Sequence, residues 1–261
     1  MILVDTHAHL YLDAFLEDRD AMVRRALEAG VTRMFLPNID ETSMAGMHEL
    51  CDRYPGQIFP MLGLHPCDVR EDFRAVLLRM EQVLDDPRYI AIGETGIDLH
   101  WDKTTLPLQQ QAFRIQVEWA RQKALPIVIH ARESYNELFA ILDDMHDERL
   151  KGVFHCFTGS PDQAQKIISY GTFMMGIGGV LTYPKAGLAE TVRHIPAEYL
   201  LLETDSPFLP PVPHRGKRNE SSYIPIILDK LAEATGHPAS YLAEVTTSNA
   251  LRMFDRVNSE P

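Results

Sequence analysis

Eight short runs that are apolar on both faces recur along the chain, and stretches with helical spacing separate them. The runs span residues 2–6, 33–38, 58–63, 89–93, 127–130, 153–155, 172–176 and 199–204. A strand buried on both faces reads as a near-continuous hydrophobic segment, and such strands belong to parallel sheets covered by helices. Residues 17–29 put Met22, Val23, Ala26 and Leu27 on one face, with Gly30 as the stop. Residues 72–84, 107–124 and 160–171 follow the same logic, the last opened by Ser160-Pro161 as cap and first turn and closed by Gly171. Two more helices are expected over 223–235 and 238–254.

Strand–helix alternation repeated eight times predicts an α/β fold, a (β/α)8 TIM barrel. The 261 residues allow about 33 per unit, which suits such a barrel. One domain over residues 1–261 is therefore expected. The alternative, an open doubly wound sheet, would place G-x-G-x-x-G after its first strand. Here that strand runs into His7-Ala8-His9, and the glycine-rich Gly176-Ile177-Gly178-Gly179 follows the seventh strand.

Composition narrows the function. The net charge is −12, which argues against holding nucleic acid or an anionic membrane by bulk charge. A bound metal or a local basic groove could still invert the field. Three cysteines, Cys51, Cys67 and Cys156, form no disulfide framework and point to a reducing cytoplasm. The opening MILVDTHAHLYLDAFLEDRD has no basic leader or long apolar stretch. No apolar run approaches the ~18 residues of a membrane span. The expectation is a cytoplasmic protein with no membrane association and no obligate protein partner.

Polar residues at the C-terminal ends of barrel strands read as catalytic. Strand one ends in His7 and His9, strand four in Glu94, strand five in His130, strand six in His155 and strand eight in Asp205. A buried strand end is a costly place for such groups unless something pairs with them. In an extended H-x-H both rings point to one side, so His7 and His9 can meet one metal ion. Six ligand candidates exceed what one four-coordinate ion with an open position takes, but suit two ions sharing a carboxylate. The expected partition is His7, His9 and Asp205 on one ion, His130 and His155 on the other, and Glu94 as bridge. Taken singly, each residue has a structural explanation: a hydrogen-bonded core histidine, an ion pair, or a turn at Asp205-Ser206-Pro207. Five strand ends with ligand chemistry in one chain outweigh those separate explanations.

His65, in Gly63-Leu64-His65-Pro66, is expected to contact substrate or support a ligand, and Glu203 to orient one. Cys156 is read as packing. His48, His100, His146, His194 and His237 are expected at the surface, with His214 a partial exception.

These segments resemble the TatD family of metal-dependent hydrolases, within the wider amidohydrolase-like barrel superfamily. The matches are residues 5–10 (DTHAHL), 63–66 (GLHP), 92–98 (IGETGID), 129–132 (IHAR), 155–160 (HCFTGS), 203–207 (ETDSP) and the loop 214–220 (HRGKRNE). They run in order over most of the chain. Two positions refine the resemblance. Ser221-Ser222 stand where family members usually carry proline after Asn-Glu, and Glu94, not a carbamylated lysine, holds the bridging position.

The resemblance implies a barrel hydrolase with two divalent ions (Zn, Mg or Mn) and, for several members, deoxyribonuclease activity. On that basis Glu94, Asp205 and His65 are the expected catalytic residues, with Asp205 as proton acceptor. Arg132, His65, Lys217 and Arg218 are the expected substrate contacts, holding phosphate of DNA or of a small phosphoester. Two alternatives stand beside it: a two-metal hydrolase of a small ester, lactone, amide or phosphoester, and a non-catalytic metal-binding barrel.

Overall fold

The computed structural model describes residues 1–258, so the last three residues of the expected 1–261 domain lie outside it. The eight strands are β1 (Leu3–Asp5), β2 (Val31–Pro37), β3 (Ile58–Met61), β4 (Ile92–Asp98), β5 (Ile127–Arg132), β6 (Gly152–Phe154), β7 (Phe173–Ile177) and β8 (Leu200–Leu202). All neighbouring strands are parallel. They form two arcs, β1-β2-β3 and β4 through β8.

Backbone bridges join the arcs at both seams. Leu62 pairs with Ile92 and Ala8 with Ser206. On the second seam Thr6 N donates to Leu202 O at 3.1 Å, Asp205 N to His7 O at 2.9 Å and His9 N to Ser206 O at 2.7 Å. The ring is therefore closed, as the alternation predicts. Asp5 reinforces this seam. Its buried carboxylate accepts from Thr204 N (2.9 Å), Thr204 Oγ1 (2.6 Å) and His7 N (3.3 Å).

Side-chain alternation divides the core in two. Val4, Phe35, Met61, Ala91, Val128, Val153, Met174 and Leu201 fill the barrel interior, one residue from each strand or its first turn. Ala250, Met253, Phe254 and Val257, at and just beyond the end of α9 (Ala239–Met253), pack into the same cluster and plug its floor. The alternate residues, such as Leu3, Met34, Leu36, Ile127, Ile129, Met175 and Leu202, face the surrounding helices. With one end plugged, chemistry is left to the other, where the strands end.

The helices are α1 (Arg19–Glu28), α2 (Met44–Arg53), α3 (Phe73–Glu81), α4 (Leu106–Lys123), α5 (Tyr135–Met145), α6 (Pro161–Ser169), α7 (Leu188–Val192), α8 (Ile224–Thr235) and α9. Gly30 takes φ +88° just past α1, and Ser160 closes a capping box with Gln163 at the start of α6. Three helices were not anticipated: α2, α5 and the five-residue α7.

One strand differs in a way that matters. The fourth was expected over 89–93 with Glu94 just past its end; β4 instead runs Ile92–Asp98 and contains Glu94. Gly93, Glu94 and Gly96 are residue types depleted in strands and read locally as a strand end. The pairing of β4 with β5 slips between Ile92 and Thr95, and such irregularities re-aim side chains beside active sites. Gly96, at φ +144°, lies so close to the His130 backbone that any Cβ there would overlap it.

Candidate metal centre

At the open end the two oxygens of Glu94 are the meeting point of the expected ligands. His7 Nε2 and His9 Nε2 stand 3.2 and 3.4 Å from Glu94 Oε2, and 3.3 Å from each other. Asp205 Oδ1 lies 3.6 and 3.5 Å from the same two nitrogens. His155 Nε2 and His130 Nδ1 stand 2.7 and 2.8 Å from Glu94 Oε1 and 3.4 Å from each other. His65 Nε2 approaches the same oxygen at 3.3 Å. The six expected ligands and His65 are thus brought together: five histidines divide between the two Glu94 oxygens, and Asp205 sits beside His7 and His9.

Local backbone makes this possible. His7 and His9 leave β1 on extended chain toward one side. Asp205 takes φ +57° after β8, a left-handed conformation that aspartate tolerates. Glu203 lies behind His155, its Oε1 3.6 Å from His155 Nδ1 and accepting from Cys156 N. A Cβ on Gly176 would overlap that carboxylate, so glycine makes its room.

The supporting hydrogen bonds set which ring nitrogen is free. The Tyr11 hydroxyl donates to Pro37 O at 2.7 Å, so it accepts from His9 Nδ1 at 3.0 Å and leaves Nε2 with its lone pair toward the centre. His130 donates from Nε2 to Asp98 Oδ2 at 2.9 Å and presents Nδ1. Sequence reading missed both partners. The signals were present: Tyr11 two residues after His9, and Asp98 within the quoted segment IGETGID.

Charge is unevenly balanced. Burial pushes the Glu94 carboxyl up, but the imidazoles of His155, His65 and His7 and the bond from His130 outweigh it and hold it well below the usual carboxylate range. Burial pulls the imidazoles down. Tyr11, Asp205 and Glu94 nevertheless raise His9 well above its ordinary value, and Glu94 with Glu203 does the same for His155. A carboxylate this stable and imidazoles this basic, closed in together, favour positive charge at their centre.

The donor set fits a divalent ion. Nitrogen donors at about 2.0–2.1 Å around a tetrahedral ion stand about 3.3–3.4 Å apart, close to the spacings around His7, His9, Glu94 and Asp205. Neutral imidazole and carboxylate suit Zn or Mn. Buried His7 Nδ1 and His155 Nδ1 have no hydrogen-bond partner. Three overlapping triads, His7-His9-Glu94, His7-His155-Glu203 and His65-Glu94-His130, each bring their donor atoms close enough to hold one ion.

The centre opens into a cavity of about 610 Å³ lined by His65, Arg132, Asp205 and the apolar Ile39, Val180, Phe208 and Leu209. Not every expected substrate contact reaches it. Arg218 is bound to Asp18 through both guanidinium nitrogens (2.6 and 2.8 Å) and to Ala14 O, and lies over the Phe15 ring. Lys217 is exposed on the same loop, away from the cavity lining. His214 stacks on Tyr223 at 4.1 Å. Burial and the nearby carboxylates of Asp205, Glu203 and Glu94 push the Cys156 thiol up, which keeps it protonated.

A family model described as TatD related DNase matches residues 4–255. The chain is 35% identical to the Bacillus subtilis protein named uncharacterized metal-dependent hydrolase YabD, over 98% of this chain and all of that one. It is also 35% identical to the 3'-5' ssDNA/RNA exonuclease TatD of Salmonella typhimurium, again over 98% and 100%. The crystal structure of the Escherichia coli TatD homolog YjjV superposes with a TM-score of 0.91 at 30% identity, covering 97% of this chain and 98% of that one.

Proposed function

Because the chain belongs to the TatD related DNase family, we propose that it is a metal-dependent phosphodiesterase that cleaves DNA at a centre of two divalent ions. The observation that carries this reading is the division of donors over the two Glu94 oxygens. His7 and His9 gather on one, with Asp205 beside their ring nitrogens, and His130 and His155 gather on the other. His7, His9, Asp205 and Glu94 would hold the first ion; His130, His155 and Glu94 would hold the second. When bound, such ions polarise a phosphoryl oxygen and lower the pKa of water.

The chain's own groups do the rest. Asp205 lines the cavity and is well placed to take a proton from water. His65 has a defined tautomer. Its Nδ1 accepts from Cys67 N at 3.1 Å, so the neutral ring carries its proton on Nε2, the atom that faces Glu94 and the cavity. That N–H can bind a phosphoryl oxygen or protonate a leaving oxygen. Arg132, at the rim, supplies a cation for phosphate. The free cysteines suit a reducing compartment, and we place the activity in the cytoplasm. Among the described residues, no helix is long and apolar enough to cross a membrane.

One observation favours the alternative of a small ester or phosphoester. Arg132 is the single lysine or arginine among the described residues that line the cavity, a sparse endowment for a long polyanion. The test is hydrolysis of single- and double-stranded oligonucleotides beside a panel of small esters, with Mg²⁺, Mn²⁺ or Zn²⁺ and with chelator. Metal-dependent cleavage of DNA that fails in His130→Ala supports the proposal. Intact DNA with every metal, alongside turnover of a small ester, overturns it in favour of the alternative.

A further inference from the structure

We propose that Trp101 is a stacking platform that holds a nucleobase of a single-stranded nucleic acid beside the metal centre. This rests on the phosphodiesterase reading above. The chain has two tryptophans. Trp119 is 3% exposed and its indole N–H donates to Glu81 at 3.1 Å, which accounts for it structurally. Trp101 is 73% exposed, yet it lines the same cavity as Glu94 and Asp205. Burying so large an apolar ring is normally favourable, so its open placement at the mouth leaves a surface for a ligand.

Two features tie this ring to the chemistry. The Arg132 guanidinium lies 5.4 Å from the indole centroid, so the ring and the arginine that lines the cavity form a unit. An aromatic face next to a cation matches a nucleotide, whose base stacks while its phosphate meets the charge. The second feature is Asp98, which faces both ways. Its Oδ2 accepts from His130 Nε2 at 2.9 Å, while Oδ1 accepts from the backbone N of His100 at 2.9 Å and of Trp101 at 3.4 Å. One carboxylate therefore registers the loop carrying the platform against a ligand of the centre.

The same cavity is also lined by Phe208, Leu209 and Val180. An aromatic and apolar lining recognises the face of a base rather than its edge, so little sequence preference is expected.

The experiment titrates the purified metal-bearing protein with phosphorothioate-linked oligomers, which resist cleavage, and follows tryptophan emission. Deoxyribo- and ribo-oligomers form two arms, and an abasic deoxyribose oligomer of equal length and charge forms a third. Base-bearing oligomers are expected to change the emission and the abasic one to leave it unaltered. Trp101→Ala should abolish the change and raise KM for single-stranded DNA about 5- to 150-fold with kcat little altered. Trp101→Phe should restore most of the KM. Equal response in the deoxyribo and ribo arms supports recognition by the base alone; a stronger deoxyribo response supports it with DNA as the source. An unchanged KM in Trp101→Ala, with wild type cleaving DNA, overturns the inference and leaves the phosphodiesterase reading standing. An emission change of equal size with the abasic oligomer also overturns it. A wild type that neither binds nor cleaves any oligomer but hydrolyses small esters removes both.

Discussion

Removing the Asp98 side chain is predicted to weaken metal binding without touching a ligand. Asp98 is buried, and although burial raises its carboxyl, the bond from His130 leads the interactions that bring it down to about 2. It is therefore ionised at neutral pH and accepts a charge-assisted bond from His130 Nε2. Such bonds contribute about 1.5–3 kcal/mol. That range agrees with the 10- to 100-fold loss of metal affinity, roughly, that follows removal of the partner of a ligating histidine. Asp98→Ala frees the ring to rotate and leaves the N–H of the half-buried His130 without its partner. The expected loss is about 10- to 100-fold in affinity for Zn²⁺ or Mn²⁺ at the site holding His130. Asp98→Asn keeps an acceptor oxygen and should fall between. The assay is competition against a chromogenic chelator, with far-ultraviolet circular dichroism to show that the barrel persists. Activity at low metal should drop in parallel and recover in excess metal. A folded Asp98→Ala protein with wild-type affinity, or a loss that excess metal does not rescue, would refute the tautomer argument.

Other predictions follow from the same geometry. Asp5→Ala strips the acceptor from buried groups of Thr204 and from His7 N at the β1–β8 seam. Chemical denaturation should show a loss of about 2 kcal/mol or more. Arg218→Ala should lower stability by roughly 1 kcal/mol, because its ion pair is partly exposed, and shift KM for DNA by less than about twofold. Arg132→Ala should do the reverse, raising KM about 3- to 10-fold with stability unchanged; steady-state kinetics beside thermal melts separate the two. With one arginine at the cavity, log kcat/KM against log salt should have a slope near about −1, and a slope of about −4 or steeper would reveal a basic footprint elsewhere.

The barrel was legible because its strands are apolar on both faces and alternate with helical stretches along the chain. The candidate ligands could be picked out because a histidine or carboxylate stands out at the end of such a strand. What failed failed for local reasons. The segment GETG carries residues that end strands in most settings, and the slip in pairing with β5 that keeps it extended is a tertiary event. The helix α2 contains Gly46, and α7 has only five residues, too few to show a period. Asp98 and Tyr11 act through their neighbours His130 and His9, and that relation exists only once the rings are placed. In the sequence, Arg218 and Arg132 look alike as charges flanking the expected mouth. Only packing shows that Asp18 holds one while the other lines the cavity.

The central claim is that Glu94 joins two donor sets into one hydrolytic centre. Its most direct test is cleavage of a single-stranded oligonucleotide by metal-stripped protein as Mn²⁺ is returned in measured equivalents. Activity should be absent at the start and reach its plateau at two equivalents per chain, with Glu94→Gln never reaching it. A plateau at one equivalent, or cleavage that persists in the stripped protein, would contradict the account.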